Sequence, residues 1–202
     1  RLKITSFPTN IQKKLTLKVL KSKINESLEK SNEFVNITTG GENASVFEYQ
    51  LNDDGFMKLE SYDDSPSRIN ANYNFSLENS LYSTDLATGF KANTYPPKTN
   101  HWGSSILDTS WKTVIFIRNL NHKGMSKETF CNFEGFTNEE VIIKDISVKP
   151  ESCNILEISS EDFKKSSDQY FSWKITASEV TIEVFWVSYN QNNGAICAEH
   201  SF

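Results

Sequence analysis

The sequence predicts an all-β fold, an antiparallel sandwich of two sheets joined by long connecting loops. Three observations carry this. Short stretches of alternating apolar and polar residues recur along the chain, separated by Gly, Pro, Asn and Asp clusters that mark turns. No stretch alternates strands with long amphipathic helices, which disfavours a parallel α/β fold, and no repeat of fixed period is present. With 14 Phe, 7 Tyr and 4 Trp in 202 residues, the chain has aromatic material for one core while staying rich in Asn, Ser and Thr.

In chain order, Arg1 to Phe7 alternates weakly through Leu2 and Ile4, and Pro8 interrupts it. The polar run Thr9 to Lys13 reads as a loop. Lys14 to Val19 is a clear strand, with Leu15, Leu17 and Val19 on one face and Thr16 and Lys18 on the other. Asn25 to Glu33 is charged and has room for a short helical turn. Phe34 to Thr39 returns to β-formers before Gly40-Gly41. Val46 to Leu51 and Phe56 to Leu59 flank Asn52-Asp53-Asp54-Gly55 and read as a hairpin. The Asp pair lacks the spaced oxygen ligands and later Glu of a calcium loop, so no metal is expected. Asp63 to Ser67 is a loop of ordinary turn residues.

Ala71 to Glu78 begins as a strand, with Tyr73, Phe75 and Leu77 on one face. From Asn79 to Pro97 the alternation stops, and the residues read as a long ordered excursion. We expect Leu81 to Pro97 to cross the side or top of the sandwich. Tyr82, Phe90, Tyr95 and Trp102 lie in or beside it, where aromatic rings can stack on sugars or anchor a protein interface. Tyr82 and Trp102 are the candidates for exposure, whereas Phe90 and Tyr95 adjoin the Gly89 and Pro96 bends and suit packing.

Trp111 to Leu120 carries apolar residues on both faces, as a buried strand does. Asn121 to Gly124 closes it as a turn, and Thr129 to Phe136 is a candidate to pair back. Val141 to Val148 and Asn154 to Ile158 are further strands, and Glu161 to Gln169 is a short helix or loop. Phe171, Trp173 and Ile175 alternate with polar residues. Val180 to Tyr189 is apolar on both faces around Phe185 and Trp186, which places it centrally. Asn190 to Gly194 is a turn, followed by room for a short strand near Ile196.

A net charge of −5 and a pI near 5.3 argue against a nucleic-acid partner, which would call for a basic patch. No apolar run approaches the roughly 20 residues that span a bilayer, so no membrane insertion is expected. The start, Arg-Leu-Lys-Ile-Thr, reads as a piece cut from a longer protein. Cys131, Cys153 and Cys197 leave at least one thiol unpaired. Free thiols throughout, or a bridge between Cys131 and Cys153, both fit the sequence. Sequons begin at Asn25, Asn36, Asn43 and Asn74.

No catalytic constellation is expected. The chain has no G-x-S-x-G elbow, H-E-x-x-H pair, P-loop or G-x-G-x-x-G turn, and no cofactor is implied. His101, His122 and His200 lack ligand spacing to one another and read as solvated or structurally hydrogen-bonded. Carboxylates brought together from distant strands would leave no trace of this kind, so a glycan-processing enzyme stays as a third reading.

The aromatic stretch carries a family resemblance. Tyr73-Asn74-Phe75, Ser83-Thr84, Gly89-Phe90 and Tyr95-Pro96 follow the order seen in adenovirus fibre heads, the knobs of trimeric viral fibres. Lys14-Leu15-Thr16-Leu17 resembles their early strand, Phe171-Ser172-Trp173 their late aromatic-Ser-Trp strand, and Val187-Ser188-Tyr189 part of the closing strand. The chain differs in lacking the Thr-Leu-Trp-Thr hinge, in a longer connection from Asn119 to Ile158, and in a tail beyond Asn190.

The resemblance implies a β-sandwich head spanning residues 9–202, preceded by a shaft end or linker over 1–8 and assembled as a homotrimer. It also implies a non-enzymatic attachment role at the virion surface, on the tip of a capsid fibre assembled inside the host cell and acting outside it. The partner would be a host cell-surface glycoprotein or glycan. Heads that grip an immunoglobulin-like receptor use their first loop, which here is the short Pro8 to Lys14. Pro8, Lys13 and Lys14 are therefore the candidate contacts there, beside Tyr82 and Trp102. The alternative is a monomeric or dimeric secreted β-sandwich lectin or carbohydrate-binding module.

Overall fold

A computed structural model describes residues 2–6, 9–26, 29–41, 45–49, 56–61, 69–87, 100–119, 127–178 and 182–201. The described chain is all-β and its sheets are antiparallel. In the first half, β1 (Leu2–Ser6), β4 (Ser45–Tyr49), β6 (Ile69–Ser76) and β7 (Ser83–Ala87) form one sheet in the order β4-β1-β6-β7. A three-stranded sheet, β3-β2-β5, joins β2 (Thr9–Ser22), β3 (Glu29–Gly41) and β5 (Phe56–Ser61).

The second half is a sandwich. One layer, β11-β10-β13-β8, is built from β8 (Asn100–Ile106), β10 (Thr129–Phe136), β11 (Val141–Val148) and β13 (Tyr170–Ala177). The other, β12-β9-β14-β15, is built from β9 (Trp111–Asn119), β12 (Cys153–Ser159), β14 (Ile182–Asn190) and β15 (Ile196–His200). A 3-10 turn at Ser160–Asp162 follows β12.

Alternation explains the core. Odd-numbered residues of β10 and β13 (Cys131, Phe133, Phe171, Trp173, Ile175) meet Ile115 and Ile117 of β9 and Ile182, Val184 and Trp186 of β14 between the layers. Trp173 and Trp186 meet edge to face at 5.3 Å, bridging the two sheets.

The β12-β9-β14-β15 layer is buried on its other face too. Phe116 and Phe185 stack there at 4.7 Å, and Tyr73 and Phe75 of β6 lie against them, with Tyr73 stacked on Phe185 at 6.2 Å. The β4-β1-β6-β7 sheet thus covers this layer from outside. β14, inside its sheet and covered on both faces, is buried at nearly every position. Its two-sided apolar sequence follows from that position.

Several local expectations are corrected. Thr9 to Lys13 is strand, the first part of β2, with its register on β3 interrupted between Thr9 and Lys13. The first loop foreseen from Pro8 to Lys14 is therefore mostly strand, and Pro8 lies outside the described residues. Val46 to Leu51 and Phe56 to Leu59 do not form a hairpin, because β4 pairs with β1 while β5 pairs with β2. β10 does not pair back on β9. It crosses to the other layer, between β11 and β13.

The long excursion is shorter than expected. A turn with Asn79 at φ 61 sends the chain back, and Ser83–Ala87 pairs with β6 from Asn72↔Ala87 to Ser76↔Ser83. Its Ser80 hydroxyl donates to the Gly194 carbonyl at 3.1 Å, docking this turn on the one between β14 and β15. Phe90, Tyr95 and their Gly and Pro neighbours lie outside the described residues, as do the Asn52 and Asp63 loops, His122 and Asn43.

Candidate recognition face

The sheet β11-β10-β13-β8 has one face in the core and one turned outward. The outward face is set by β13, whose Phe171, Trp173 and Ile175 point inward and whose Tyr170, Ser172, Lys174 and Thr176 therefore point out. Register then fixes the neighbours. Trp102 of β8 stands opposite Lys174, Lys174 opposite Glu134 of β10, and Glu134 opposite Ile143 of β11. The row on one side is Asn100, Thr176, Asn132 and Asp145. The row on the other is Ser104, Ser172, Phe136 and Val141.

Trp102 is 48% exposed, and the Lys174 ammonium lies 5.4 Å from its ring centroid. The polar row is tied together by Thr176 Oγ1 donating to Asn100 Oδ1 at 3.0 Å and Asn132 Nδ2 donating to Asp145 Oδ1 at 3.0 Å. Ten large hydrophobic side chains stand exposed among the described residues, and five of them (Trp102, Phe130, Val141, Ile143, Tyr170) belong to this sheet's outward side. Half of the exposed large hydrophobic side chains among the described residues thus stand on one face of one sheet.

The five residues singled out from sequence are not gathered into one site. Trp102 sits on the open face, on an edge strand and not in a loop. Tyr82 is exposed, but in the β6–β7 turn that docks on the β14–β15 turn. Lys14 is exposed on β2, and Lys13 falls in the same strand. Phe130, Val141, Ile143 and Tyr170 were missed. β10 and β11 carry apolar residues on both faces, Tyr170 stands at the start of the otherwise polar outward side of β13, and alternation separates two faces without saying which one is covered.

Several polar groups elsewhere are committed to structure. His101 is buried, its Nδ1 2.5 Å from Ser201 Oγ and its Nε2 3.0 Å from the Ile182 carbonyl, which ties β8 to the end of the chain. A hollow lined by Lys112, Glu157, Ser159, Glu161, Asp162 and Lys164 mixes both charges. Its Asp162 already accepts from Lys144 Nζ at 2.7 Å and from the Ser159 backbone at 2.9 Å.

Under the β4-β1-β6-β7 sheet, Arg118 pairs with Glu183 at 3.1 Å beside Tyr73 and Cys153. Burial raises the Tyr73 hydroxyl above its ordinary value, outweighing the pull of Arg118, and raises the Cys153 thiol well above its own. All three cysteines are free thiols. Cys131 faces the core between the layers, whereas Cys153 is on the opposite side of its own sheet, so no bridge joins them. Among the described residues no group of three or more His, Cys, Asp or Glu is gathered to hold a metal ion, and no helix is long and apolar enough to cross a membrane.

No protein-family model matches this chain, and no curated protein matches it. Among solved structures, a crystal structure of Thermotoga maritima 1070 is similar over 54% of this chain and 96% of that one, with a TM-score of 0.42 and 8% identity.

Proposed function

We propose that this chain is a non-catalytic recognition module that binds a cell-surface glycoprotein or glycan through the open face of β11-β10-β13-β8. The observation that carries this reading is the concentration of exposed hydrophobic side chains on that one face, with Trp102 fixed on a regular strand. A binding surface on a rigid strand loses little entropy when its partner docks.

The specific form we favour is the attachment head of a trimeric viral fibre, acting at the virion surface, with the sequence resemblance as its support. Three copies would multiply weak individual contacts through effective concentration. Light scattering on the purified chain tests this form. Three times the 23.1 kDa chain mass is expected, and a stable monomer at micromolar concentration contradicts it. A monomeric or dimeric secreted lectin is the second reading, favoured by the sequon residue Asn36, which stands exposed on β3. Occupancy of that sequon on a monomeric chain would select it.

A further inference from the structure

Resting on the open face as the recognition surface, we infer that its Trp102 end is a subsite for a neutral glycan, one pyranose ring stacked on the indole. The surroundings of Trp102 distinguish this from a protein hot spot. Its neighbours along β8 are Asn100 and Ser104, its cross-strand partner is Lys174, and the diagonal positions are Ser172 and Thr176. Among the described residues, each of these neighbouring positions on the face is polar. The exposed apolar residues Val141 and Ile143 lie on β11, at the far edge of the sheet. A protein hot spot is ringed by groups that exclude water, and this indole is ringed by groups that hydrogen-bond.

The polar ring offers what sugar hydroxyls need. Asn100 Oδ1 is taken by Thr176, which keeps the amide N–H groups as donors. Ser104 Oγ donates to the Phe171 carbonyl at 3.3 Å and keeps its lone pairs as acceptors. Ser172 is exposed, and the Lys174 ammonium, which lies over the indole at 5.4 Å from its centroid, adds donors on that side of the ring and leaves the sugar to stack on the other. Hydroxyls both donate and accept, so vicinal hydroxyls on a pyranose match this mixture, while the sugar's C–H face covers the indole. Charge selects against an acidic sugar. Lys174 faces Glu134 across the next strand pair and Asp145 lies one row away, so the face holds no surplus cation for a carboxylate.

The test uses the full chain in two arms. Cellohexaose, mannohexaose, chitohexaose and lacto-N-tetraose, with 3′-sialyllactose as the acidic counterpart, are titrated while tryptophan fluorescence is followed. At least one neutral oligosaccharide is expected to bind, with Trp102→Ala weakening it roughly tenfold or more and Trp102→Phe retaining part of the affinity. Binding of 3′-sialyllactose alone, or of no sugar, overturns the assignment.

The second arm measures binding to cultured epithelial cells before and after periodate oxidation of their glycans. Loss with both Trp102→Ala and periodate supports the subsite. Sensitivity to Trp102→Ala with resistance to periodate overturns the glycan class in favour of a protein partner and leaves the face intact. Binding indifferent to Trp102→Ala overturns the subsite, and binding indifferent to Ser172→Arg as well overturns the face. Unchanged thermal unfolding of Trp102→Ala, expected for a half-exposed side chain, separates lost contact from lost fold.

Discussion

A methyl group at Gly103 would fall 2.1 Å from Cζ2 of Trp173, because the two residues oppose each other across β8 and β13 and the indole lies over the glycine. Trp173 is fully buried, with its Nε1 donating to Ser105 Oγ at 3.4 Å, so the ring has nowhere to go. Gly103→Ala is therefore expected to cost about 2 kcal/mol or more by overpacking, read from the urea midpoint. A midpoint equal to wild type would mean that β8 does not seat on the indole. The same contact fixes β8, and with it the direction in which Trp102 leaves the sheet.

Arg118 and Glu183 form a pair that is partly shielded by the β4-β1-β6-β7 sheet, with side chains 22% and 11% exposed. Glu183→Gln, which removes the carboxylate that Arg118 pairs with at 3.1 Å, is expected to cost about 2–3 kcal/mol, below the loss for a fully buried pair. Replacing both residues by leucine should cost less than either single change. Equilibrium unfolding of Arg118→Leu, Glu183→Leu and the double measures this as a mutant cycle.

Stability should fall at alkaline pH. Burial pushes the Cys131 thiol up to about 12 and raises Cys153 and Tyr73 as well. The unfolded chain then releases these protons at lower pH than the folded one does, so it binds fewer protons above pH ~9 and unfolding is favoured. Each group contributes a loss of about 1.4 kcal/mol per pH unit between its unfolded and folded values. The urea midpoint should hold below pH ~9 and drop steadily above it. Cys131→Ala, though less stable throughout, should show a shallower drop.

Thiol reactivity follows burial. Cys131 and Cys153 are buried and Cys197 is exposed. Ellman's reagent at pH 8 should titrate one thiol per native chain, slowly because partial burial raises Cys197 as well, and all three in guanidinium. Two or more fast thiols in the native protein would contradict the placement of Cys131 and Cys153.

Much of the fold is legible in the sequence, and the losses have physical causes. β13 announces itself because Phe171, Trp173 and Ile175 alternate with polar residues, and β14 because both of its faces are covered. β7 is hidden, since Ser83–Ala87 buries Leu86 and otherwise presents small or polar residues, too few for a pattern. Strand partners are hidden too. Nothing local in Thr129–Phe136 says that it joins Tyr170–Ala177 and not Trp111–Asn119, because pairing is decided by contacts far apart in the chain. Of the site, the sequence offered Trp102 as an exposed aromatic but in a loop setting. The remaining aromatic and aliphatic positions became visible only when the sheet showed which of its faces lies open.

The most direct test of the open face as the recognition surface is Ser172→Arg, measured against Lys14→Glu on β2. Ser172 is exposed on the outward face, diagonal to Trp102 across the β13–β8 pair, so the arginine should leave stability within about 0.5 kcal/mol of wild type. It places a bulky cation in the middle of the contact. Binding to epithelial cells, followed by surface-bound fluorescence of the labelled chain, is predicted to fall roughly tenfold or more with Ser172→Arg and to stay at the wild-type level with Lys14→Glu. Wild-type binding by Ser172→Arg would contradict the account.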